Sequence, residues 1–188
     1  MKGKFLYLFV VLAIIILFSF WWCFRPNDVS SPKRWTVDES SDSQKKMFGS
    51  DSRFLFVSAI GSGRFGFNVL RISSDGEVEY TYKESSKWRR GKGNISPNIV
   101  IELRKLLLAE SFVTLSREYH AEVADGTQWY FKIEGDGFEK SVYCNNNFPE
   151  PLQRIATFCE THIIDKVPTL KSGSVEMDIA EVRKIRIP

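Results

Sequence analysis

One apolar segment near the amino terminus constrains this chain more than any other feature. It runs from Phe5 to Phe24 and contains no charged residue. About twenty residues in a helix span roughly 30 Å, which matches the hydrocarbon thickness of a bilayer. A core helix of a soluble protein would normally show a polar face over such a length. The segment therefore predicts an N-terminal transmembrane helix.

The end of this segment distinguishes an anchor from a cleaved signal peptide. Signal peptides have an apolar core of about 7–15 residues and a cleavage site of small residues. Here the core is longer, and it ends with the bulky residues Trp21, Trp22 and Phe24. The two tryptophans also stand where small residues would precede a lipidated Cys23. We therefore predict an uncleaved signal anchor over residues 1–25, which contacts the lipid bilayer through residues 5–24.

The flanking charges bear on the orientation of the anchor. Lys2 and Lys4 precede the segment, whereas Arg25, Lys33 and Arg34 follow it, so that the positive-inside rule is nearly balanced. A short basic head before an apolar run is typical of an export signal. We expect the bulk of the chain outside the cytoplasm. A cytoplasmic orientation with a scaffolding role is the alternative.

The rest of the chain divides by composition. Residues 26–51 are rich in Ser, Asp, Lys and Pro and have few apolar side chains, which predicts a flexible linker. Residues 52–167 are long enough to bury one hydrophobic core, so we predict a single α+β globular domain there. Residues 168–188 mix charged residues with scattered Val and Ile, and they predict a partly ordered tail.

The domain shows patterns for strands and helices in turn. The pair Asp75-Gly76 predicts a hairpin turn. Ser96-Pro97 predicts the start of one helix, and Pro149 that of a second. Strands are predicted over residues 54–60, 65–72, 77–82, 128–134 and 138–144. The predicted fold is a single antiparallel sheet of about five strands with two helices on one face.

The charge of the chain is nearly balanced. It has 26 basic and 23 acidic residues and a formal net charge of +3. A nucleic-acid-binding surface needs clustered excess positive charge, so we predict no nucleic-acid partner. We interpret the one basic run, residues 87–92, as a solvated loop, and binding of an anionic headgroup or polymer is the alternative interpretation.

A glycine-rich motif at residues 61–66 reads Gly-Ser-Gly-Arg-Phe-Gly and so matches G-x-G-x-x-G. In dinucleotide-binding folds this loop leads into a helix, but here it leads into a predicted strand. A protein kinase would require further motifs that do not follow. We interpret the motif as a strand connection in which two backbones pass closely.

The polar residues do not indicate a catalytic site. His120 lies near acidic residues in the sequence, but neither it nor His162 has the ligand spacing of a zinc site. We therefore predict no catalytic, cofactor-binding or metal-ligating residue and no cofactor. A hydrolase at the membrane surface that uses a Glu, an Asp or His120 is the alternative function, and His120 and Asp125 are the residues whose replacement would test it.

The cysteines and aromatic residues leave alternatives open. Cys144 and Cys159 could pair in an oxidising compartment or stay as buried free thiols. Aromatic rings on the strands could pack in the core or bind a ligand on a wet face. The aromatic residues concerned are Tyr80, Tyr82, Trp88, Trp129, Tyr130 and Tyr143.

Four stretches together resemble a bacterial family of small secreted or lipid-anchored envelope domains with no assigned function. They are residues 61–67, residues 75–80 (Asp-Gly-Glu-Val-Glu-Tyr), Asp125 and residues 137–142. The resemblance covers roughly residues 54–164. Members often carry two cysteines and a proline in the first loop, whereas this chain has no cysteine there, so no role of those cysteines is carried over. The resemblance implies the fold and an envelope location, and it implies no activity.

These observations together predict a single-pass membrane-anchored protein. We expect its extracytoplasmic domain to bind a protein or an envelope ligand without catalysis. The sequence leaves the oligomeric state open.

Overall fold

An eight-stranded mixed sheet forms the scaffold of the domain. The computed structural model describes residues 52–123 and 126–182. The strands are β1 (Leu55–Ser62), β2 (Gly66–Ser73), β3 (Glu77–Glu84), β4 (Lys87–Asn94), β5 (Glu118–His120), β6 (Gln128–Gly135), β7 (Phe138–Asn145) and β8 (Val175–Glu176). Their order in the sheet is β5-β7-β6-β1-β2-β3-β4-β8. Among these strands, β5 and β7 pair in parallel and the other neighbours are antiparallel.

Tight hairpins join β1 to β2, β2 to β3, β3 to β4 and β6 to β7. In the turn between β2 and β3, Gly76 has a φ of +92°, which glycine adopts without a steric penalty. A Cβ at this position would also lie 2.6 Å from the carbonyl oxygen of Ile95. The hydroxyl of Ser73 donates a hydrogen bond to Asp75 in the same turn. The turn predicted from the Asp-Gly pair therefore lies at the expected position.

Two helices cover one face of the sheet, which we call the inner face. Helix α1 (Pro97–Ala109) follows Ser96, whose backbone is extended. Helix α2 (Glu150–Phe158) continues into a π-helical turn over Cys159–Ile164. The buried residues of the two helices and this turn are Val100, Leu103, Arg104, Leu107, Leu152, Ile155, Cys159, Ile163 and Ile164.

The hydrophobic core lies between these helices and the inner face. The five central strands β7, β6, β1, β2 and β3 contribute alternate residues to the core, because successive side chains of a strand point to opposite faces. The core residues from the five central strands include Phe56, Leu70, Ile72, Val78, Phe131, Ile133 and Val142. The rings of Phe56 and Phe131 lie 6.3 Å apart between centroids. Full burial of each such side chain contributes about 1.5–3 kcal/mol.

Helix α1 also holds the chain where it enters β1. The guanidinium of Arg104 lies 4.7 Å from the ring centroid of Phe54. It donates hydrogen bonds to the hydroxyl and the carbonyl oxygen of Ser52, at 3.1 Å and 2.8 Å. The hydrogen bonds and the cation–π contact offset the cost of burying this charge.

The chain after α2 wraps around β4. A 3-10 turn over Pro168–Leu170 packs against β4 on the inner face. A Cβ at Gly91 would lie 1.9 Å from the carbonyl oxygen of Leu170, so only glycine fits beneath this turn. Strand β8 then pairs with the free edge of β4, and a single helical turn, α3 (Ile179–Val182), follows.

The predicted antiparallel sheet of about five strands with two helices is wrong. The described residues form eight strands, one parallel pair and a third, one-turn helix. The basic run of residues 87–92 lies in β4 and not in a loop, since β4 pairs with β3 along its full length. Lys, Arg and Gly are weak strand formers, which is why composition indicated a loop. Strands β5 and β8 have three and two residues, too few for an alternating pattern.

The predicted transmembrane helix over residues 5–24 and the predicted linker over residues 26–51 lie outside the described residues. No helix within residues 52–123 and 126–182 is long and apolar enough to cross a bilayer. The predicted tail over residues 168–188 carries β8 and α3 in its described part.

Candidate functional site

The face of the sheet opposite α1 and α2, which we call the outer face, is the best candidate for a functional surface. Directly paired residues on neighbouring strands have side chains on the same face. One row of such pairs crosses all eight strands on the outer face. From β5 to β8 the row is Glu118, Tyr143, Tyr130, Ala59, Val69, Thr81, Arg90 and Val175. The row is apolar in its middle and carries charges towards both ends.

The middle of the outer face is a small apolar cluster. Its buried members are Ala59, Val69 and Tyr130. The half-buried Val57, Phe67 and Tyr143 pack against them. We call these six residues the apolar centre. Burial raises the pKa of Tyr130, so its phenol keeps its proton at neutral pH and can donate a hydrogen bond.

On the β6–β7 side of the apolar centre, one lysine lies between two carboxylates. The ammonium of Lys132 is 2.5 Å from Glu134 and 3.3 Å from Glu139. The hydrogen bond with Glu134 raises the pKa of Lys132, so the lysine stays charged. One cation and two carboxylates give this group a net charge of −1.

On the β2–β4 side, three cations surround one carboxylate. Oxygens of Glu79 lie 3.7 Å from Arg71, 3.8 Å from Arg90 and 3.8 Å from Lys92. Arg90 also lies 3.6 Å from Glu181, on α3. Three cations and two carboxylates give this group a net charge of +1. The two ion-paired groups beside the apolar centre therefore have opposite net charges.

A cleft of about 450 Å³ opens beside the positive group. Its lining residues are Leu55, Arg71, Ser73, Glu77, Val78, Glu79, Lys92, Gly93 and Asn94. Among the described residues, two buried polar atoms on this side, Thr81 Oγ1 and Arg90 Nε, have no hydrogen-bond partner. Such an atom costs about 1–3 kcal/mol when it stays unpaired. Both atoms are buried, and Arg90 Nε lies 3.8 Å from Glu79 Oε1.

The histidine singled out in the sequence, His120, lies at the β5 edge of the outer face. Its Nε2 is 3.1 Å from the carboxylate of Glu118, and its ring centroid is 5.7 Å from that of Tyr143. Asp125, the other residue of the hydrolase alternative, lies outside the described residues. His162 lies on the π-helical turn after α2. In the described part of the chain, no group of three or more His, Cys, Asp and Glu residues could hold a metal ion.

The two cysteines of the domain are buried free thiols. Cys144 lies on β7 and Cys159 follows α2, and both belong to the hydrophobic core. Burial raises the pKa of Cys144 to about 11 and that of Cys159 to about 12. Both thiols are therefore protonated at neutral pH, and neither provides a nucleophilic thiolate.

The glycine-rich motif forms the connection between β1 and β2. A Cβ at Gly61 would lie 2.1 Å from the carbonyl oxygen of Gly66, so the two backbones approach closely. The motif leads into β2, and so it lacks the helix amino terminus that binds a pyrophosphate. Phe65, at its tip, is 65% exposed.

Sequence reasoning identified part of this site and missed its charged groups. It named Tyr130 and Tyr143 among the strand aromatics without assigning them to a face. It missed the contact between Glu79 and Arg90, because this contact requires β4 to be a strand. The alternation of polar and apolar residues along β3 indicates that Glu79 lies on a solvent-exposed face of the sheet. This alternation was the available signal for an ion pair with a neighbouring strand.

Comparison of the chain with models of known protein families and with curated proteins finds no match. The resemblance to bacterial envelope domains therefore stays a prediction.

Proposed function

We propose that this chain is a single-pass membrane-anchored protein whose extracytoplasmic domain binds another protein through its outer face, without catalysis. The apolar segment of residues 5–24 supports the membrane anchor. The main support for the proposed binding function is the apolar centre. It is flanked by one group of net charge −1 and another of net charge +1.

A protein suits this surface better than an anionic polymer does. Protein interfaces combine an apolar middle with a polar rim, and charges of both signs fix the register of the partners. A nucleic acid or an acidic glycan would require a continuous positive surface. Glu134 and Glu139 interrupt any such surface on the β6–β7 side.

Site-specific photocross-linking in intact membranes tests the proposal. A photoreactive amino acid in place of Val57 or Phe67 is expected to cross-link the same discrete protein. The same replacement at Glu102, exposed on α1, is the matched control and is expected to give no such product. The charge reversal Arg71→Glu is expected to weaken the cross-link from both outer-face positions.

Two results would contradict the proposal. One is a product that forms equally well from Glu102, and the other is cross-linking to lipid alone from Val57 and Phe67. A reporter fused to the carboxyl terminus tests the orientation separately, since activity confined to the cytoplasm would contradict an extracytoplasmic domain.

A further inference from the structure

A second surface lies at one end of the sheet, where the β1–β2 and β3–β4 hairpins turn. Both turns lie at the same end, because β2 is antiparallel to both β1 and β3. The first turn carries Phe65, which is 65% exposed. The second leads into the half-buried Trp88, whose ring packs on Gly66, since a Cβ there would lie 2.5 Å from the ring. An exposed phenylalanine and a tryptophan therefore lie close together at this end.

The surroundings of these two rings are positively charged. The charged residues of the two hairpin ends and the adjoining β8 are Arg64, Lys83, Glu84, Lys87, Arg89 and Glu176. Four cations and two carboxylates give a net charge of +2. Both carboxylates pair with cations of the group. Arg64 lies 5.4 Å from the ring centroid of Phe65, and neither it nor Lys83 makes an ion pair with another described residue.

We propose that this hairpin-tip surface, formed by Arg64, Phe65, Lys83, Lys87 and Trp88, contacts an anionic lipid bilayer. The phenylalanine would enter the interface, the tryptophan would lie at headgroup depth, and the cations would meet lipid phosphates. The inference rests on the proposed membrane anchor, which keeps the bilayer at a high effective concentration, so that few contacts suffice.

The chain is long enough for this contact. Strand β1 separates its entry point, Leu55, from the hairpin tip by about 26 Å at roughly 3.3 Å per residue. Residues 26–51, fully extended, span roughly 85 Å.

Depth measurements on the full chain in vesicles test the contact. A nitroxide is attached through Gly63→Cys in a Cys23→Ser background. Position 63 accepts a side chain, because the atom nearest to a Cβ there is Gln128 Oε1 at 3.7 Å. Cys144 and Cys159 are buried and do not compete for the label. The vesicles contain either phosphatidylglycerol with phosphatidylcholine or phosphatidylcholine alone.

In the anionic vesicles, the label at position 63 is expected to be relaxed by oxygen in the lipid phase. The measured quantity is the accessibility of the label to oxygen divided by its accessibility to a water-soluble relaxing agent. Phe65→Ser is expected to lower this ratio about tenfold, since one aromatic side chain leaves the interface. Vesicles of phosphatidylcholine alone are expected to give an aqueous label. The matched control is a label attached through Lys105→Cys, exposed on α1, which is expected to stay aqueous in both vesicles.

Flotation of the same samples separates the two proposals. If the chain floats with the anionic vesicles while the label at position 63 stays aqueous, the tip contact is overturned and the anchor stands. A label at position 63 that neither oxygen nor a water-soluble relaxing agent reaches indicates contact with protein. This result also overturns the tip contact. If the chain fails to float, the anchor and the tip contact are both overturned.

Discussion

Arg89 and Ser174 form a two-point contact that closes the carboxyl-terminal segment onto β4. Nε of Arg89 donates to the Ser174 hydroxyl at 2.8 Å, and Nη2 donates to the Ser174 carbonyl oxygen at 2.9 Å. The hydroxyl donates in turn to the carbonyl oxygen of Lys171 at 2.7 Å and lies 3.0 Å from the hydroxyl of Tyr82. One buried serine therefore links β3, β4 and the segment that wraps around them.

Replacement of this serine tests the contact. Ser174→Ala is expected to lower the free energy of unfolding by about 1–3 kcal/mol, because it removes a hydrogen-bond partner from Arg89 and from Tyr82. Chemical denaturation measures the loss. The control is Ser172→Ala, which removes an exposed hydroxyl from the same segment and is expected to change stability by less than about 0.5 kcal/mol. Equal losses in the two variants would contradict a role of this contact in stability.

A glycine beneath the 3-10 turn offers a steric test of the same segment. Gly91→Ala is expected to destabilise the domain by about 1–3 kcal/mol, because the added methyl group would meet the carbonyl of Leu170. Hydrogen exchange is expected to rise over residues 168–174. Gly63→Ala, where the nearest atom is 3.7 Å from the new carbon, is the matched control and is expected to leave stability and exchange nearly unchanged. If exchange over residues 168–174 does not rise in Gly91→Ala, the turn does not depend on this close contact.

The fold was predictable where a strand carries its own pattern. Residues 77–82 alternate between polar and apolar side chains, and this stretch lies in β3. Strand β4 was not predictable in this way, because its glycines indicate a loop when the local sequence is considered alone. The reason for them is the close approach of the turn at Leu170, which is distant in sequence. Tertiary contacts of this kind override the local propensity for a loop.

The candidate site was predictable in its residue types and not in its arrangement. The aromatic residues on the strands pointed to a possible wet face. Their division between the two faces depends on register, which places Tyr80 in the core and Tyr130 in the apolar centre. The opposite charges of the two groups beside that centre come from five different strands and α3, so no single segment encodes them.

An ion pair between α2 and the end of α1 predicts how stability depends on pH. Arg154 donates two hydrogen bonds of 2.6 Å to the carboxylate of Glu110. The hydrogen bonds from Arg154 hold the pKa of Glu110 below its ordinary value of 4.5. A carboxyl group whose pKa is lowered by folding contributes stability above its unfolded pKa, and it loses this contribution as the pH falls through the folded pKa.

We therefore expect the domain to lose stability as the pH falls below about 4.5, and Glu110→Gln to lose less over the same interval. Arg154→Gln, which removes the partner, is expected to reduce the pH dependence in the same way. Denaturation at a series of pH values from 7 to 3 measures both. A Glu110→Gln variant with the full pH dependence of the original chain would assign the acid sensitivity to other groups.

The positive group beside the apolar centre depends on Glu79 for its charge balance. Without this carboxylate, Arg71, Arg90 and Lys92 would face one another with Glu181 as the remaining acid of the group. Glu79→Gln is therefore expected to lower the free energy of unfolding by about 0.5–1 kcal/mol at low ionic strength. In 1 M salt the screening length falls to about 3 Å, so most of this loss is expected to disappear.

The control for this change is Glu84→Gln on the same strand. Glu84 is 61% exposed and has one cationic partner, Arg89 at 3.5 Å, so its replacement is expected to have little effect at either ionic strength. Denaturation at both ionic strengths compares the two variants. A loss in Glu79→Gln that stays constant in 1 M salt would mean that Glu79 stabilises this face by packing. In that case a substitution of Glu79 would change the packing of the proposed binding surface as well as its charge.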